Sequence, residues 1–219
     1  MTKQPITKHP MTKHPMTKHP LIEPTWVSID VETSGPDPST HALLSVGASL
    51  VAEPEVGFYV ELKPDQKAAD PQAMAVHGLD MRRLRTTGAE PATAMASLEA
   101  WLKAEVVGRP TMVGFNAPFD WMFVNQYFWY YLGRNPLGHS AIDIKALAMG
   151  WLCVPWSQTS FAALATRCGL ASSLGHHALD DARQQARLLA ALLALPRPAR
   201  PRTSASRKVP AQGRKASSE

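Results

Sequence analysis

The sequence predicts an α/β domain in which helices flank a mixed sheet of five strands. Three apolar stretches that have the character of strands come first, and two short strands then alternate with helices. This order is typical of a mixed sheet with helices packed on it. The 219 residues, of which 45% are apolar, suffice for one buried core and are few for two. We therefore predict one domain over residues 26–195.

Each element follows from a local pattern. Runs rich in Val, Leu, Ile and Ser predict strands over residues 26–32, 42–52 and 57–62, and the Ser-Gly-Pro sequence at 34–36 predicts the first turn. Apolar residues at helical spacing predict a helix over 91–107. The other predicted elements are strands over 111–115 and 141–144 and helices over 117–132, 143–151, 159–168 and 178–195.

Both ends of the chain lack the apolar residues that a core needs. Residues 1–20 are four copies of a pentapeptide, MTKQP, ITKHP, MTKHP and MTKHP, so three of the copies begin with Met and leave the start codon open. Residues 196–219 mix Pro, Ser, Lys and Arg with one large apolar residue, Val209. We predict a disordered repeat tail over 1–25 and a disordered basic tail over 196–219.

These tails account for the net charge of +5. Residues 1–25 hold four Lys and one Glu, residues 196–219 hold seven Lys or Arg and one Glu, and the residues between hold twelve basic and sixteen acidic side chains. A basic tail raises affinity for a polyanion such as nucleic acid in a salt-dependent way. The acidic centre would repel a phosphate unless divalent cations neutralise it.

Several classes of protein are disfavoured by composition. The only cysteines, Cys153 and Cys168, form no metal-binding or disulfide pattern, which favours a reducing cytoplasm. The N-terminus lacks the apolar core of a signal peptide, and no stretch reaches the roughly 18 apolar residues of a membrane span. We expect a soluble, cytoplasmic protein with no membrane partner.

Acidic residues with a spacing suited to metal binding occur in three places. Asp30 and Glu32 end the first strand two residues apart, so they leave the same face of the sheet and can share a cation. Asp120 falls in the first turn of the helix after the strand at 111–115. Each has an ordinary alternative: two acids that end a strand are often solvated, and Asp120 also suits a helix N-terminus, which Asn116 could cap.

The third place is the sequence LGHHALDDARQQ before and within the last helix. His176 is followed five residues later by Asp181, and a neutral imidazole can accept a proton from an attacking water near pH 7. His177 and Asp180 are adjacent candidates for the same two roles. Helix phase does not decide between the two pairs.

Taken together, the three places resemble the motifs of the DEDDh family of 3′–5′ exonucleases, which includes the proofreading subunit of bacterial replicative polymerase, ribonuclease T and oligoribonuclease. The first match is Asp30-x-Glu32-Thr33-x-Gly35, and the second ends in Phe119-Asp120. The third is His176 with four residues before Asp181-Ala182. The likeness covers about residues 26–195, and its spacing selects His176 and Asp181 over their neighbours.

The resemblance implies a ribonuclease-H-like fold and a two-metal mechanism. In the family, the four acids at Asp30, Glu32, Asp120 and Asp181 bind two divalent ions, Mg²⁺ or Mn²⁺, and the histidine at His176 is the general base. Water then attacks the last phosphodiester of a single strand of DNA or RNA, and a nucleoside 5′-monophosphate leaves from the 3′ end. Asp143 occupies the place of a family acid to which we assign structural support.

Substrate contacts are also implied by the resemblance. Val76, His77, Gly78 and Leu79 resemble an element that lies beside the terminal nucleotide. Residues after the first motif meet the terminal sugar, and two others belong to the second motif, so the candidate contacts are Thr33, Ser34, His77, Asn116 and Phe119. Many relatives have Thr where Ser34 stands and His where Phe115 stands.

Two further hypotheses compete with this interpretation or extend it. A noncatalytic module that binds nucleic-acid ends, or that associates with a polymerase, would use the same fold and the basic tails. The helix over 117–132 is unusually aromatic, with seven Trp, Tyr and Phe side chains between residues 121 and 131. We expect most of them to be core residues, with a homodimer interface as the second interpretation.

Overall fold

The computed structural model describes residues 20–198 and confirms the predicted class, a mixed five-stranded sheet with helices on both faces. The predicted strands and helices are present, with ends that differ by at most two residues. The strands are β1 (Trp26–Thr33), β2 (Leu43–Leu50), β3 (Gly57–Glu61), β4 (Thr111–Gly114) and β5 (Ala141–Asp143). The helices are α1 (Pro71–His77), α2 (Met81–Thr87), α3 (Pro91–Glu105), α4 (Ala117–Leu132), α5 (Ile144–Leu152), α6 (Phe161–Arg167) and α7 (Ala178–Ala194).

The order of strands in the sheet is β3-β2-β1-β4-β5, with β1 at the centre. β1 pairs antiparallel with β2 and parallel with β4, and β4 pairs parallel with β5. The carboxyl ends of β1, β4 and β5 therefore meet at one edge of the sheet. The first two acidic motifs, one in the last residues of β1 and one after β4, are brought to this edge by the strand order alone.

The side chains of β1 divide between the two faces of the sheet. Val27, Ile29 and Val31 are buried on the face covered by α3 and α4. The opposite face is covered by α5, α6 and α7, whose apolar residues form a second core. Because side chains alternate along a strand, Asp30 and Glu32 share the face that α7 covers.

A glycine in β2 allows α7 to reach this face. Gly47 pairs with Asp30 across the sheet, and a Cβ atom at Gly47 would lie 2.1 Å from the backbone carbon of Ala178. No side chain can occupy that space without moving α7. The first turn of α7, which carries Asp181, therefore lies directly over the end of β1.

Two short helices were not among the predicted elements. Asp70 caps α1 by accepting a hydrogen bond from the Gln72 N–H (2.8 Å), and Gly78 ends that helix with φ of 68°. Asp80 caps α2 in the same way through the Arg82 N–H. Each helix has seven residues, too few for a helical period to be evident in the sequence. His77 is thus the last residue of a helix.

Most of the two predicted tails lies outside the described residues. Within residues 20–25, Ile22 packs against the core on the α7 face, and the Thr25 carbonyl accepts a hydrogen bond from the Thr111 N–H (2.9 Å). At the other end, the Arg197 guanidinium lies 3.7 Å from the ring centroid of Trp151. No helix within residues 20–198 is long and apolar enough to cross a membrane.

Candidate active site

Three of the predicted carboxylates form a compact group at the end of β1. One oxygen each of Asp30, Glu32 and Asp181 lies within 4.8 Å of the other two. Asp30 and Glu32 come from alternate positions of β1, and Asp181 comes from the first turn of α7. Residues 150 positions apart in the chain are therefore placed so that they can bind the same cation.

Asp120 lies next to this group, in the first turn of α4. Its Oδ1 accepts a hydrogen bond from the backbone N–H of Val31 (3.1 Å), the residue between Asp30 and Glu32. The carboxylate is 4% exposed and raises the pKa of Asp30 by repulsion. The structure thus brings all four predicted acids together, and we call them the carboxylate cluster.

The carboxylate cluster has no basic partner of its own. Within residues 20–198, no lysine, arginine or histidine nitrogen forms an ion pair with any of the four acids. Burial, followed by repulsion between the acids, holds the pKa of Asp30 well above its usual range. Burial also raises the pKa of Glu32 to about 7 and that of Asp120 to about 8.

The loop before α7 holds Asp181 through its backbone. The N–H groups of Gly175 and His176 donate to the two oxygens of Asp181, at 2.8 and 3.0 Å. His176 adopts a left-handed conformation, with φ of 56°, which turns consecutive N–H groups toward the carboxylate. These bonds lower the pKa of Asp181, but burial outweighs them and the pKa stays raised.

The two candidate histidines point to different surroundings. The His176 side chain is exposed, next to Asp181, and no group of residues 20–198 forms a hydrogen bond to its imidazole. The His177 ring instead stacks on Tyr59 at 4.4 Å, and its Nδ1 lies 3.3 Å from Asp180. Arg183 also pairs with Asp180. His176 thus lies beside Asp181, whereas His177 and Asp180 contact Tyr59 and Arg183, and the roles of His176 and Asp181 stay predictions.

Gln185 is a site residue that the sequence did not identify. Its Nε2 donates to Asp30 Oδ1 (2.6 Å) and its Oε1 accepts from the Phe115 N–H (2.9 Å), while the side chain is 1% exposed. It follows Asp181 by four residues, so both lie on the same face of α7. That spacing was the available signal, but it does not distinguish a site glutamine from a core one.

Asp143 has the supporting role that was assigned to it. Its Oδ2 accepts from the Ala117 N–H (2.7 Å) and its Oδ1 from the Ala146 N–H (2.6 Å), so one carboxylate holds the first turns of α4 and α5. Asn116 therefore does not cap α4 with its side chain, contrary to the alternative considered above. It is exposed, in a left-handed conformation with φ of 65°.

A cleft of about 180 Å³ opens beside Glu32. Predicted substrate contacts Thr33, His77 and Phe119 line it, together with Val31, Ala73 and Val76. His77 Nδ1 accepts from the Leu79 N–H (3.0 Å), so its proton is on Nε2, which donates to the Thr33 carbonyl (3.1 Å). Burial lowers the pKa of His77, which favours this neutral form.

Ser34 does not line this cleft, and its polar groups are bound within the protein. It is fully buried, its hydroxyl donates to the Ala68 carbonyl (2.7 Å), and it accepts from the Ala42 N–H (2.8 Å). Its backbone bonds to Ala42 and Asp70. Here Ser34 holds the loop after β1 in place, and its contact with a substrate stays a prediction.

The residues present suit hard divalent cations. The carboxylate cluster offers only oxygen ligands, which Mg²⁺ and Mn²⁺ prefer, and no thiolate lies among them. Unpaired buried carboxylates are costly, and a bound cation would remove that cost. The fold and the carboxylate cluster define a metal-dependent phosphodiesterase.

Comparisons with known proteins agree with this class. The sequence model of the exonuclease family that includes ribonuclease T matches residues 27–189, and the chain belongs to this family. The chain is also 42% identical over 165 residues to the 3′–5′ DNA exonuclease Cap18 of Escherichia coli, a match that covers 74% of this chain and 88% of the relative. It is thus a metal-dependent 3′–5′ exonuclease of the DEDDh type.

Solved structures show the same fold. The nuclease domain of 3′hExo, a DEDDh family member bound to rAMP, superposes with a TM-score of 0.65 at 17% identity, over 77% of this chain and 90% of that one. Escherichia coli exonuclease I in complex with a dT13 oligonucleotide superposes with a TM-score of 0.60 at 18% identity, over 77% of this chain and 40% of that one.

Proposed function

We propose that the protein removes nucleoside 5′-monophosphates from single-stranded 3′ ends and that two divalent ions, Mg²⁺ or Mn²⁺, are held by the carboxylate cluster. The observation that carries the proposal is that four acids, three of them buried and Asp30 half-buried, converge without a basic partner among residues 20–198. Two ions bound there would stabilise both the attacking and the leaving oxygens of a phosphodiester. The relative at 42% identity, which is named a 3′–5′ DNA exonuclease, supports the direction of cleavage.

The protein's own residues would orient the substrate and move the proton. The exposed imidazole of His176 would take a proton from the attacking water, since it lies beside Asp181 without a hydrogen bond of its own. The cleft beside Glu32 would hold the terminal nucleoside, with Phe119 and Val76 against the base. Asn116, exposed at the start of α4, would contact the strand.

The test is to digest a 5′-labelled oligonucleotide with Mg²⁺ and to identify the products. We expect a ladder of shortened strands and free nucleoside 5′-monophosphates from the native protein, and neither from Asp30→Ala. Equal activity in the two proteins, or none from a folded native protein, would contradict the proposal. A circular single strand must stay uncut, since cutting it would indicate an endonuclease.

The role of His176 needs a separate variant. We expect His176→Ala to lower kcat by about 10²–10⁴-fold, the usual contribution of a general base, while Mg²⁺ affinity changes little. His177→Ala is the matched control, because that histidine is stacked on Tyr59 away from the carboxylate cluster. A normal kcat in His176→Ala would exclude it as the base.

DNA is the first substrate to test, because the relative at 42% identity is named a DNA exonuclease. Matched DNA and RNA oligonucleotides, digested side by side, decide between the two sugars. A homodimer through α4, where Trp129 and Tyr130 are exposed, stays a prediction that light scattering checks. Association with a polymerase and placement in the cytoplasm also stay predictions.

A further inference from the structure

A cation and three aromatic rings form a surface next to the carboxylate cluster, at the ends of β4 and β5. The Lys145 ammonium lies 4.4 Å from the ring centroid of Trp156 and 5.8 Å from that of Phe115. The Phe115 ring meets Phe161 edge-on at 5.3 Å. We call these four residues the aromatic platform.

The charge of Lys145 is left without a carboxylate partner. Within the part of the chain that the structure describes, it forms no ion pair, whereas Lys63 and Lys103 are both paired. Trp156 is 50% exposed, although Lys145 lies over its ring. An unpaired cation beside an exposed indole offers one group for a phosphate and one for a base.

The aromatic platform and the cleft beside Glu32 both adjoin the carboxylate cluster, but they contact it through different acids. The cleft is lined by Glu32 itself. The platform connects through the Phe115 N–H, which donates to Gln185, and Gln185 donates to Asp30. A strand whose scissile phosphate lies on the cluster, with its last nucleoside in the cleft, therefore has the platform available for the nucleotides that precede it.

Space for those nucleotides continues beyond the platform. Phe161 also lines a groove of about 510 Å³ between α6 and α7, which extends to Gly175 beside His176. Arg187 also lines this groove. The groove thus runs from the platform along the loop that holds Asp181, and its volume suits nucleotides and not a metal ion.

We propose that the aromatic platform binds the single strand on the 5′ side of the scissile phosphate, with Trp156 stacking on a base and Lys145 contacting a backbone phosphate. This inference rests on the proposed function, since it assumes a strand with its 3′ end at the carboxylate cluster. Base stacking and charge neutralisation are both tolerant of sequence, so the platform would favour single strands of any sequence.

The test compares two substrates of different length. One is a twelve-residue thymidylate oligomer, and the other is the p-nitrophenyl ester of thymidine 5′-monophosphate, in which nitrophenol replaces the preceding strand. We expect Trp156→Ala to raise KM for the oligomer about tenfold, as expected for a lost stacking contact, and to leave hydrolysis of the ester unchanged. Trp129→Ala, equally exposed on α4, is the matched control.

The role of Lys145 is tested by measuring how KM for the oligomer depends on salt concentration. For Lys145→Ala we expect the dependence of log KM on log salt concentration to weaken by about 0.7, the value for one phosphate contact in a single strand. Lys103→Ala, which removes a paired lysine on α3, should not change the slope. An oligomer KM that stays native in both platform variants, or equal losses on the oligomer and the ester, would overturn the inference.

The failure of this inference is distinguishable from failure of the proposed function. If the native protein cleaves the oligomer from its 3′ end while the platform variants behave like their controls, only the inference is wrong. If the native protein cleaves neither substrate, the proposed function is wrong. In that case, the platform substitutions are made in the Asp120→Asn variant. Fluorescence anisotropy with the labelled oligomer then measures whether Trp156 and Lys145 bind a strand.

Discussion

Two acidic regions of the molecule differ in whether basic side chains pair with their carboxylates. Glu99 on α3 is 6% exposed, and Arg134 donates to both of its oxygens at 2.9 and 2.7 Å. Lys103 adds a contact at 3.0 Å. The hydrogen bonds from Arg134, followed by those from Lys103, lower the pKa of Glu99 to about 2.

Three acids of the carboxylate cluster are buried to a similar degree, but no basic side chain in the described part of the chain pairs with any of the four. Asp120 is 4% exposed, yet burial raises its pKa to about 8. Where a buried acid has only a structural role, as at Glu99, the chain supplies the cations itself. Where four acids are left unpaired, the missing positive charge must come from outside the chain, and this difference points to divalent ions.

The largest effect is expected from removing one charge of the carboxylate cluster. Asp120→Asn should lower kcat/KM by more than about a thousandfold, because metal ions supply several kcal/mol of transition-state stabilisation and about 1.4 kcal/mol is tenfold. The amide oxygen can still accept from the Val31 N–H, so the melting temperature without metal should not fall. Kinetics and thermal unfolding measure both, and a large loss of stability would contradict the comparison.

A smaller effect on metal binding is expected from Gln185→Leu. Loss of the hydrogen bond to Asp30 should lower Mg²⁺ affinity or activity by about 10–100-fold, as is usual when a ligand loses its hydrogen-bonded support. Calorimetry with Mg²⁺ separates this effect from folding. The neighbouring Gln184→Leu is the control, and equal losses in both variants would exclude a specific role for Gln185.

Glu99→Gln should change stability and not catalysis. The variant loses the charge-assisted bonds to Arg134 and Lys103, and we expect the free energy of unfolding to fall by about 1–3 kcal/mol. Arg134 is partly exposed, so water can replace part of the loss. Urea denaturation measures the change. Nuclease activity per folded molecule should equal that of the native protein, and a lower value would show that the two regions are coupled.

The last effect is a dependence of stability on pH. The raised pKa values of Glu32 and Asp120, about 7 and 8, mean that the folded protein binds more protons than the unfolded chain above pH 4. Stability without metal should therefore fall as pH rises from about 5 to 8, and each kcal/mol lowers the melting temperature by about 2–4 °C. Mg²⁺ should oppose this fall most at high pH.

The control for this pH effect is the Asp120→Asn variant in the presence of EDTA. Removing one of the raised groups should make the fall in melting temperature with pH less steep. Other titrating groups contribute equally to both proteins, so the difference between the two slopes isolates the cluster. Identical slopes would mean that the buried acids are not the source of the pH dependence.

Much of the fold was accessible from the sequence because its elements are long or strongly apolar. The helix pattern over 117–132 agrees with α4, and the five predicted strands are all present. Helices α1 and α2 were missed because seven residues with two or fewer buried side chains show no clear period. Their position depends on the aspartates that cap them and on contacts with residues far away in the chain.

The residues of the candidate site can likewise be divided into those that the sequence predicted and those that it did not. Asp30, Glu32, Asp120, His176 and Asp181 were predicted, and the structure brings them together. Gln185 was not, because a glutamine on an amphipathic helix has no distinctive spacing. The aromatic platform was also missed, since Phe115, Lys145 and Trp156 belong to three different segments that meet only in the folded chain.

The sequence by itself determined that the surplus of positive charge lies in the tails, and it predicted which acids bind metal and, through the resemblance to the family, which histidine accompanies them. Only the tertiary structure decided how these groups are charged and held. Gly47 lets α7 approach β1, burial raises the pKa values of the carboxylate cluster, and no basic residue of residues 20–198 neutralises it. Spacing along the chain shows which residue types are available, whereas the burial of a side chain and its hydrogen-bond and ion-pair partners depend on which residues meet in the folded structure.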